Sequence, residues 1–336
     1  MIFITAKKHR KYIKNWWGGD YSKCNVDSCP YLASGTIDSH LIEIDKIPEY
    51  PSTLLLGHEQ VCNYHCTFCS SRPGYSKAPQ EVQNAGYENI YEKLKPVLPH
   101  IKTISANGNG EVFTSRHILK MLSEWKPLAP AEECGASIET NGSLFDAEHW
   151  KQIENLGQYN LRVAITVTSF EDYTYKLLSG TTLPVQQVID NLHFVKSLRE
   201  KGIVNHLQIA TVVQERNFWQ MPDFVRRCID EFGADSVRLR PYQPHASNDA
   251  ARVWFTEVRN PSHPYHEEYM KVIQDPIFKH PKVSDWGLAA ESHTPDLLSF
   301  MVRKAPFKTA KILTREVVIG ALRKAKRLAG KLRYGS

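Results

Sequence analysis

From about residue 53 onward, short apolar runs alternate with longer stretches of helical periodicity. Parallel strands joined through helices leave this pattern. The apolar runs predict strands over 53–56, 103–106, 136–139, 162–167, 206–213 and 236–239. Between them the periodicity predicts helices over 80–94, 115–124, 146–155, 184–201 and 221–232. Two of these run into Lys201-Gly202 and Phe232-Gly233, with glycine where a left-handed residue ends a helix. Six strand-helix units in about 190 residues predict an α/β barrel or partial barrel; an open doubly wound sheet would give the same periodicity. There is no internal repeat.

The alternation divides the chain. Residues 1–50 form an N-terminal extension that holds Trp16, Trp17, Cys24 and Cys29, with a strand-like run near 41–44. Residues 51–243 form the core domain. After Pro241 the alternation stops, and 244–300 is a C-terminal extension punctuated by Asn260-Pro261-Ser262-His263-Pro264 and His280-Pro281. Residues 301–336 form a basic tail. Eleven Lys and Arg against Glu316 alone give that tail +10, so the chain's net +6 leaves −4 on the remainder. The body therefore offers no electrostatic argument for DNA or RNA. Within the tail, Leu313, Val317, Ala321, Ala325, Leu328 and Leu332 fall near helical spacing under a basic face. Such a helix would lie on anionic lipid or an acidic partner, or pack on the barrel with its charges in water.

A hydrophobic fraction of 42% and a charged fraction of 23% over 336 residues are ordinary for a folded globular chain and exclude a disordered or collagen-like one. The opening segment lacks the order of a secretory signal, and no apolar run is long enough to span a bilayer, so a cytoplasmic location is expected. Seven cysteines, an odd number, do not suggest a disulfide framework. They bring metal or redox chemistry forward instead.

Three of them stand at Cys62, Cys66 and Cys69, directly after the first strand. Spacings of four and three would put three buried thiols on one helix face. A structural zinc ion would want four ligands, usually in paired spacings, and His65 between the thiols has no partner motif. Three thiolates also suit a [4Fe-4S] cube in which each holds one iron and the fourth iron stays open for a small molecule.

Cys-x3-Cys-x2-Cys with Phe68 before the last cysteine resembles the signature of the radical S-adenosylmethionine (SAM) superfamily. Supporting motifs follow later strands. Ser105-Ala106-Asn107-Gly108-Asn109-Gly110-Glu111 is similar to the family's Gly-Gly-Glu segment, which implies backbone contact of Gly108 and Gly110 with the methionyl part of SAM. Glu111 would then pair with its ammonium. Glu139-Thr140-Asn141-Gly142 resembles the family's Thr-Asn-Gly turn, though Asn-Gly is also a common turn former. The resemblance implies polar contacts to SAM from Thr140, Asn141, Thr166 and Thr168, with Asn217 near its adenine. Arg238 and Arg240 would reach the substrate or form a surface ion pair.

The resemblance implies a partial (β/α)6 TIM-like barrel, with 244–300 on its substrate side. It implies reductive cleavage of SAM at the cluster, with an electron from a flavodoxin or ferredoxin, and hydrogen abstraction by a 5′-deoxyadenosyl radical. The run from Thr166 to Asn217 is particularly similar to the SPASM/twitch-like subgroup, so a peptide or sugar substrate is expected, and the basic tail adds a lipid-linked one. The chain departs from that subgroup because no cysteine follows Cys228. Cys24, Cys29, Cys134 and Cys228 are candidates for an auxiliary cluster, against the commoner reading of free buried thiols. The alternative from another class is a zinc-stabilised binding protein whose tail grips RNA or an acidic partner.

Overall fold

The computed structural model describes residues 49–69, 80–106, 109–243 and 250–290, with the single positions Gly35, Ala310 and Thr314. Cys24, Cys29, Gly108, the run at 41–44 and, apart from Ala310 and Thr314, the basic tail lie outside the described residues. Seven strands form one sheet in sequence order, every neighbouring pair parallel. They are β1 (Thr53–Leu56), β2 (Thr103–Ala106), β3 (Gly135–Thr140), β4 (Asn160–Thr166), β5 (His206–Val213), β6 (Ser236–Pro241) and β7 (Val283–Asp285). The helices are α1 (Gln80–Leu94), α2 (Arg116–Glu124), α3 (Ala147–Trp150), α4 (Asp172–Ser179), α5 (Val185–Glu200), α6 (Met221–Asp230), α7 (Ala250–Thr256) and α8 (His266–Val272). The α/β class and the partial-barrel expectation hold.

Each strand has two unlike faces. Ile104, Ile138, Val163, Ile165, Leu207, Ile209, Val237 and Leu239 are fully buried. The helices cover this face with apolar stripes, such as Met221, Phe224, Val225 and Cys228 of α6. The alternate positions Ser137, Glu139, Ala164, Thr166, Gln208, Arg238 and Arg240 are polar or small, and only half-buried. A parallel sheet covered on both sides reads as continuous apolar runs. The alternation here marks a sheet that keeps one face for a lumen.

One contact measures the curl. On a flat sheet three strand spacings of about 4.8 Å would separate β3 from β6, and side chains standing perpendicular to the sheet would not meet across them. Arg238 of β6 nevertheless lies 3.3 Å from Glu139 of β3. The register puts Ala164 beside Glu139 and Ala210 beside Arg238. Small residues on the two intervening strands leave the path open. No hydrogen bonds join β1 to β7, so the barrel is partial.

The structure departs from the sequence expectations in four places. The helix expected over 146–155 stops early: Asp146 caps α3 by accepting from the N–H groups of Glu148 and His149, and a separate 3-10 turn covers Glu154–Gln158. Asn155 there donates its side-chain amide to the Leu122 carbonyl at 3.1 Å. Helix α4 was not expected. The alternation does not stop at Pro241, because the three-residue β7 pairs with β6; a strand so short carries almost no periodic signal. Helices α7 and α8 lie in the stretch read as irregular, packed through Trp254 and Tyr269.

Candidate functional site

The cysteine loop leaves β1 at Leu56 and is held on both flanks by backbone. On one side the N–H groups of His65 and Thr67 donate to the carbonyls of Ser179 and Leu178, at 3.0 and 2.8 Å. Those carbonyls belong to the last turn of α4, where helical partners run out. On the other side the Glu111 N–H donates to the Val61 carbonyl at 2.7 Å. Two glycines permit this closeness. A Cβ on Gly180 would lie 2.3 Å from the His65 oxygen, and one on Gly110 would lie 2.4 Å from the Val61 oxygen. Gly180 also has φ +60°, the left-handed region that ends α4.

Cys62, Cys66 and Cys69 are half-buried free thiols on this loop, tightened by the Cys69 N–H donating to the Cys66 carbonyl at 3.2 Å. Burial pushes the Cys62 thiol up to about 11, and the Glu111 and Cys69 charges add to it. Burial, then the charges of Cys62 and Cys69, push the Cys66 thiol higher still. Three thiolates this close disfavour one another unless a positive body lies among them, which inverts the balance. Among the described residues no three His, Cys, Asp or Glu side chains are arranged to hold a single ion. Three thiol donors on one loop match three corners of an iron-sulfur cube by the chemistry of the donor set.

A closed polar network adjoins Cys62. The buried Glu111 carboxylate accepts from the Thr140 hydroxyl at 2.6 Å, the Asn141 N–H at 2.7 Å and the Phe113 N–H at 3.3 Å. Burial raises its pKa, and those three donors pull it back down. The Asn141 side-chain amide donates to Asn63 Oδ1 at 2.8 Å and lies 3.9 Å from Cys62 Sγ. Asn63 in turn donates to the Ser143 hydroxyl at 2.9 Å, and Ser143 donates to Asn141 Oδ1 at 2.7 Å. The Gly110-Glu111 turn, the Thr140-Asn141-Gly142 turn and the cysteine loop thus meet beyond the C-terminal ends of β2, β3 and β1.

The other expected residues are spread along the same sheet edge. Phe68 is half-buried in the loop, and Thr166 is half-buried on the lumen face where β4 ends. Thr168 is buried and its hydroxyl bonds Ser179 Oγ at 2.9 Å. Asn217 is fully buried; its amide donates to the Thr168 and Val212 carbonyls, at 2.9 and 3.0 Å, and accepts from the Gln214 N–H at 2.9 Å. It cross-braces the segments that follow β4 and β5. Cys134 precedes β3, at the opposite end of the parallel sheet from the triad, and Cys228 is on the buried face of α6. The structure does not bring either to the three loop cysteines.

Several members of the site carry no motif of their own. Asn63 lies inside the Cys-x3-Cys run and Ser143 directly follows the Thr-Asn-Gly turn, and both were legible only as neighbours of those motifs. The hydrogen-bonded, buried pair Tyr64 and Tyr175 and the cap Gly180 depend on α4, which the sequence pattern did not reveal. Arg238 and Glu139 face each other inside the lumen, so the ion pair is not on the outer surface.

A family model described as the radical SAM superfamily matches residues 58–228, about half of the chain. Among solved structures, Streptococcus suis SuiB bound to precursor peptide SuiA is 15% identical, with a TM-score of 0.45 over 83% of this chain and 62% of that one. Native anSMEcpe with bound AdoMet and Kp18Cys peptide is 14% identical, with a TM-score of 0.42 over 69% of this chain and 63% of that one. The radical SAM methyltransferase TsrM from Kitasatospora setae, with cobalamin and a [4Fe-4S] cluster bound, is 14% identical, with a TM-score of 0.34 over 56% and 36%. The chain spans about three fifths of the length of the first two structures. No curated protein matches.

Proposed function

We propose, for a chain that belongs to the radical SAM superfamily, that Cys62, Cys66 and Cys69 hold a [4Fe-4S] cluster whose open iron takes SAM, and that the protein is a radical SAM enzyme acting on an organic substrate. The observation that carries this is a loop of three half-buried thiols, fixed on both flanks by backbone, beside a buried carboxylate already oriented by three donors. When loaded, such a site supplies one-electron reductive cleavage of SAM to a 5′-deoxyadenosyl radical that takes hydrogen from the substrate.

The chain's own residues bind, orient and enclose. Glu111 keeps acceptor capacity on Oε2 for the SAM ammonium, and Thr140 and Asn141 fix the rotamer in which it does so. Gly110, whose Cβ side is filled by the Val61 and Glu59 carbonyls, would with Gly108 offer backbone groups to the cofactor. Thr166 offers a hydroxyl at the lumen edge for the ribose, while Thr168 and Asn217 hold the ends of β4 and β5 where ribose and adenine would lie. Phe68, half-buried just before the last cysteine, would contact SAM. An unselective primary radical needs a substrate hydrogen held close to it, so positioning by the barrel mouth sets the specificity.

The electron donor in this reading is a flavodoxin or ferredoxin, the substrate a peptide, sugar or lipid-linked molecule, and the location the cytoplasm. No helix among the described residues is long and apolar enough to cross a membrane.

Anaerobic reconstitution tests the reading. Wild type should take up iron and sulfide, turn brown and form 5′-deoxyadenosine from SAM under dithionite. Cys66→Ala should lose both the iron and the product while keeping its far-UV circular dichroism. Undiminished product from Cys66→Ala, or a colourless wild type that binds only zinc, would refute it.

A further inference from the structure

Strand β6 ends in two arginines, Arg238 and Arg240, two residues apart and so on the same face of the strand. That face is the lumen. Arg238 reaches Glu139 with Nη2 at 3.3 Å, a long contact, and its Nε has no hydrogen-bond partner. The Nε of Arg240 has none either, and no ion pair with Arg240 occurs among the described residues. Trp286, directly after β7, lies with its ring centroid 5.4 Å from the Arg238 guanidinium and 5.0 Å from that of Arg240. Its indole is 55% exposed although it is a large apolar group.

Two positive charges against one carboxylate leave a surplus of one inside a half-enclosed cavity. Burial, and then the neighbouring Arg238 charge, press the Arg240 pKa down. Guanidinium groups stay protonated in proteins, so the fold bears the cost of a crowded cation with unspent donors. Groups of that kind in native proteins ask for an explanation, and a ligand is the simplest one here. The forked donors match a planar or tetrahedral oxyanion, and an aromatic face beside them keeps the forks in plane.

We propose that Arg238 and Arg240, flanked by Trp286, form a recognition site in the barrel lumen for an oxyanion on the substrate, a carboxylate or a phosphate group. Naming the ligand a substrate rests on the radical SAM reading, whereas the anion site does not. An anchor on β6 lies across the lumen from the cysteine loop and the Glu111 network beyond β1 to β3. A substrate held there by its charged end would extend its other end toward the site of radical formation. The acidic group thereby becomes a handle for positioning.

Thermal unfolding of the reconstituted full-length chain, at constant ionic strength, tests this with inorganic phosphate and with acetate as separate probes. Arg240→Gln removes the surplus charge, so without added anion it should melt about 2–4 °C above wild type. Wild type should gain stability saturably with one probe, which identifies the oxyanion, and Arg240→Gln should need roughly tenfold more of it. Arg240→Lys keeps the charge without the fork and should fall between the two. An Arg240→Gln chain that melts lower than wild type or fails to fold would overturn the proposal. So would equal responses of wild type and Arg240→Gln to both probes. None of these measurements uses a reductant. 5′-Deoxyadenosine formation by wild type tests the radical reading separately, so failure of one idea does not pass for failure of the other.

Discussion

The two sides of the barrel mouth spend their polar groups differently. Beyond β1 to β3, both carboxylate oxygens of Glu111 and the backbone N–H and side-chain amide of Asn141 have partners within the chain, and backbone hydrogen bonds hold the cysteine loop on both flanks. At β6 and β7 the arginines keep open donors and an unbalanced charge, beside an exposed indole. A satisfied network holds its geometry before any ligand arrives, which suits a cofactor bound in the same way each time. Unspent donors lower stability in the free protein and are repaid on binding. The first arrangement is built for position, the second for recognition.

The sharpest way to break the ordered side is at Gly180. A methyl group there meets the His65 carbonyl oxygen at 2.3 Å and leaves a residue with a side chain at φ +60°. Gly180→Ala should cost roughly 2–4 kcal/mol, the sum of overpacking and left-handed strain, and should lower iron per chain by displacing the cysteine loop. Gly202 is the control. It shares the left-handed backbone, with φ +74°, but a Cβ there meets nothing within 4 Å. Gly202→Ala should cost only about 1 kcal/mol, with iron unchanged. Equal urea midpoints for the two variants would show that the contact with the cysteine loop does not matter.

A smaller effect belongs to Thr140. Its hydroxyl donates to Glu111 at 2.6 Å and accepts from the Gly142 N–H at 3.0 Å, both in buried surroundings. Thr140→Val keeps the shape and strips both bonds. A loss of about 1–3 kcal/mol in urea unfolding is expected, largely recovered in Thr140→Ser. A loss below about 0.5 kcal/mol would mean that the network is not closed as its distances indicate.

What the sequence could carry follows the same division. The cysteine spacing, the Gly-x-Gly-Glu turn and the Thr-Asn-Gly turn are local, so each was legible from a few adjacent residues. Strands of four to eight residues with apolar alternation, such as β1, β2 and β5, were legible to the residue. Helix α4 hid because its eight residues mix Tyr173, Thr174 and Lys176 with few apolar positions, while burial of Tyr175 and Leu178 comes from packing under the cysteine loop. The Arg238–Glu139 contact joins residues 99 apart and depends on how far the sheet curls. No pattern along the chain encodes that distance. Thr168 and Asn217 were legible as polar residues near strand ends, but their bonds to Ser179 and to backbone carbonyls emerge only in three dimensions.

The smallest effect separates cysteines that look alike in sequence. Cys134 is 2% exposed, and its thiol makes one weak contact, 3.8 Å to the Ala129 carbonyl, at the end of β3 remote from the loop. Burial raises its pKa, which keeps the thiol protonated, apolar in behaviour and inert. Cys134→Ala removes one buried sulfur and should cost about 1 kcal/mol, the price of a small cavity. Iron per chain after anaerobic reconstitution should equal that of wild type, against its loss in Cys66→Ala. A fall in iron on removing Cys134 would require a ligand at the opposite end of a parallel sheet. The contrast between a loop built to bind and a core built only to pack would then fail.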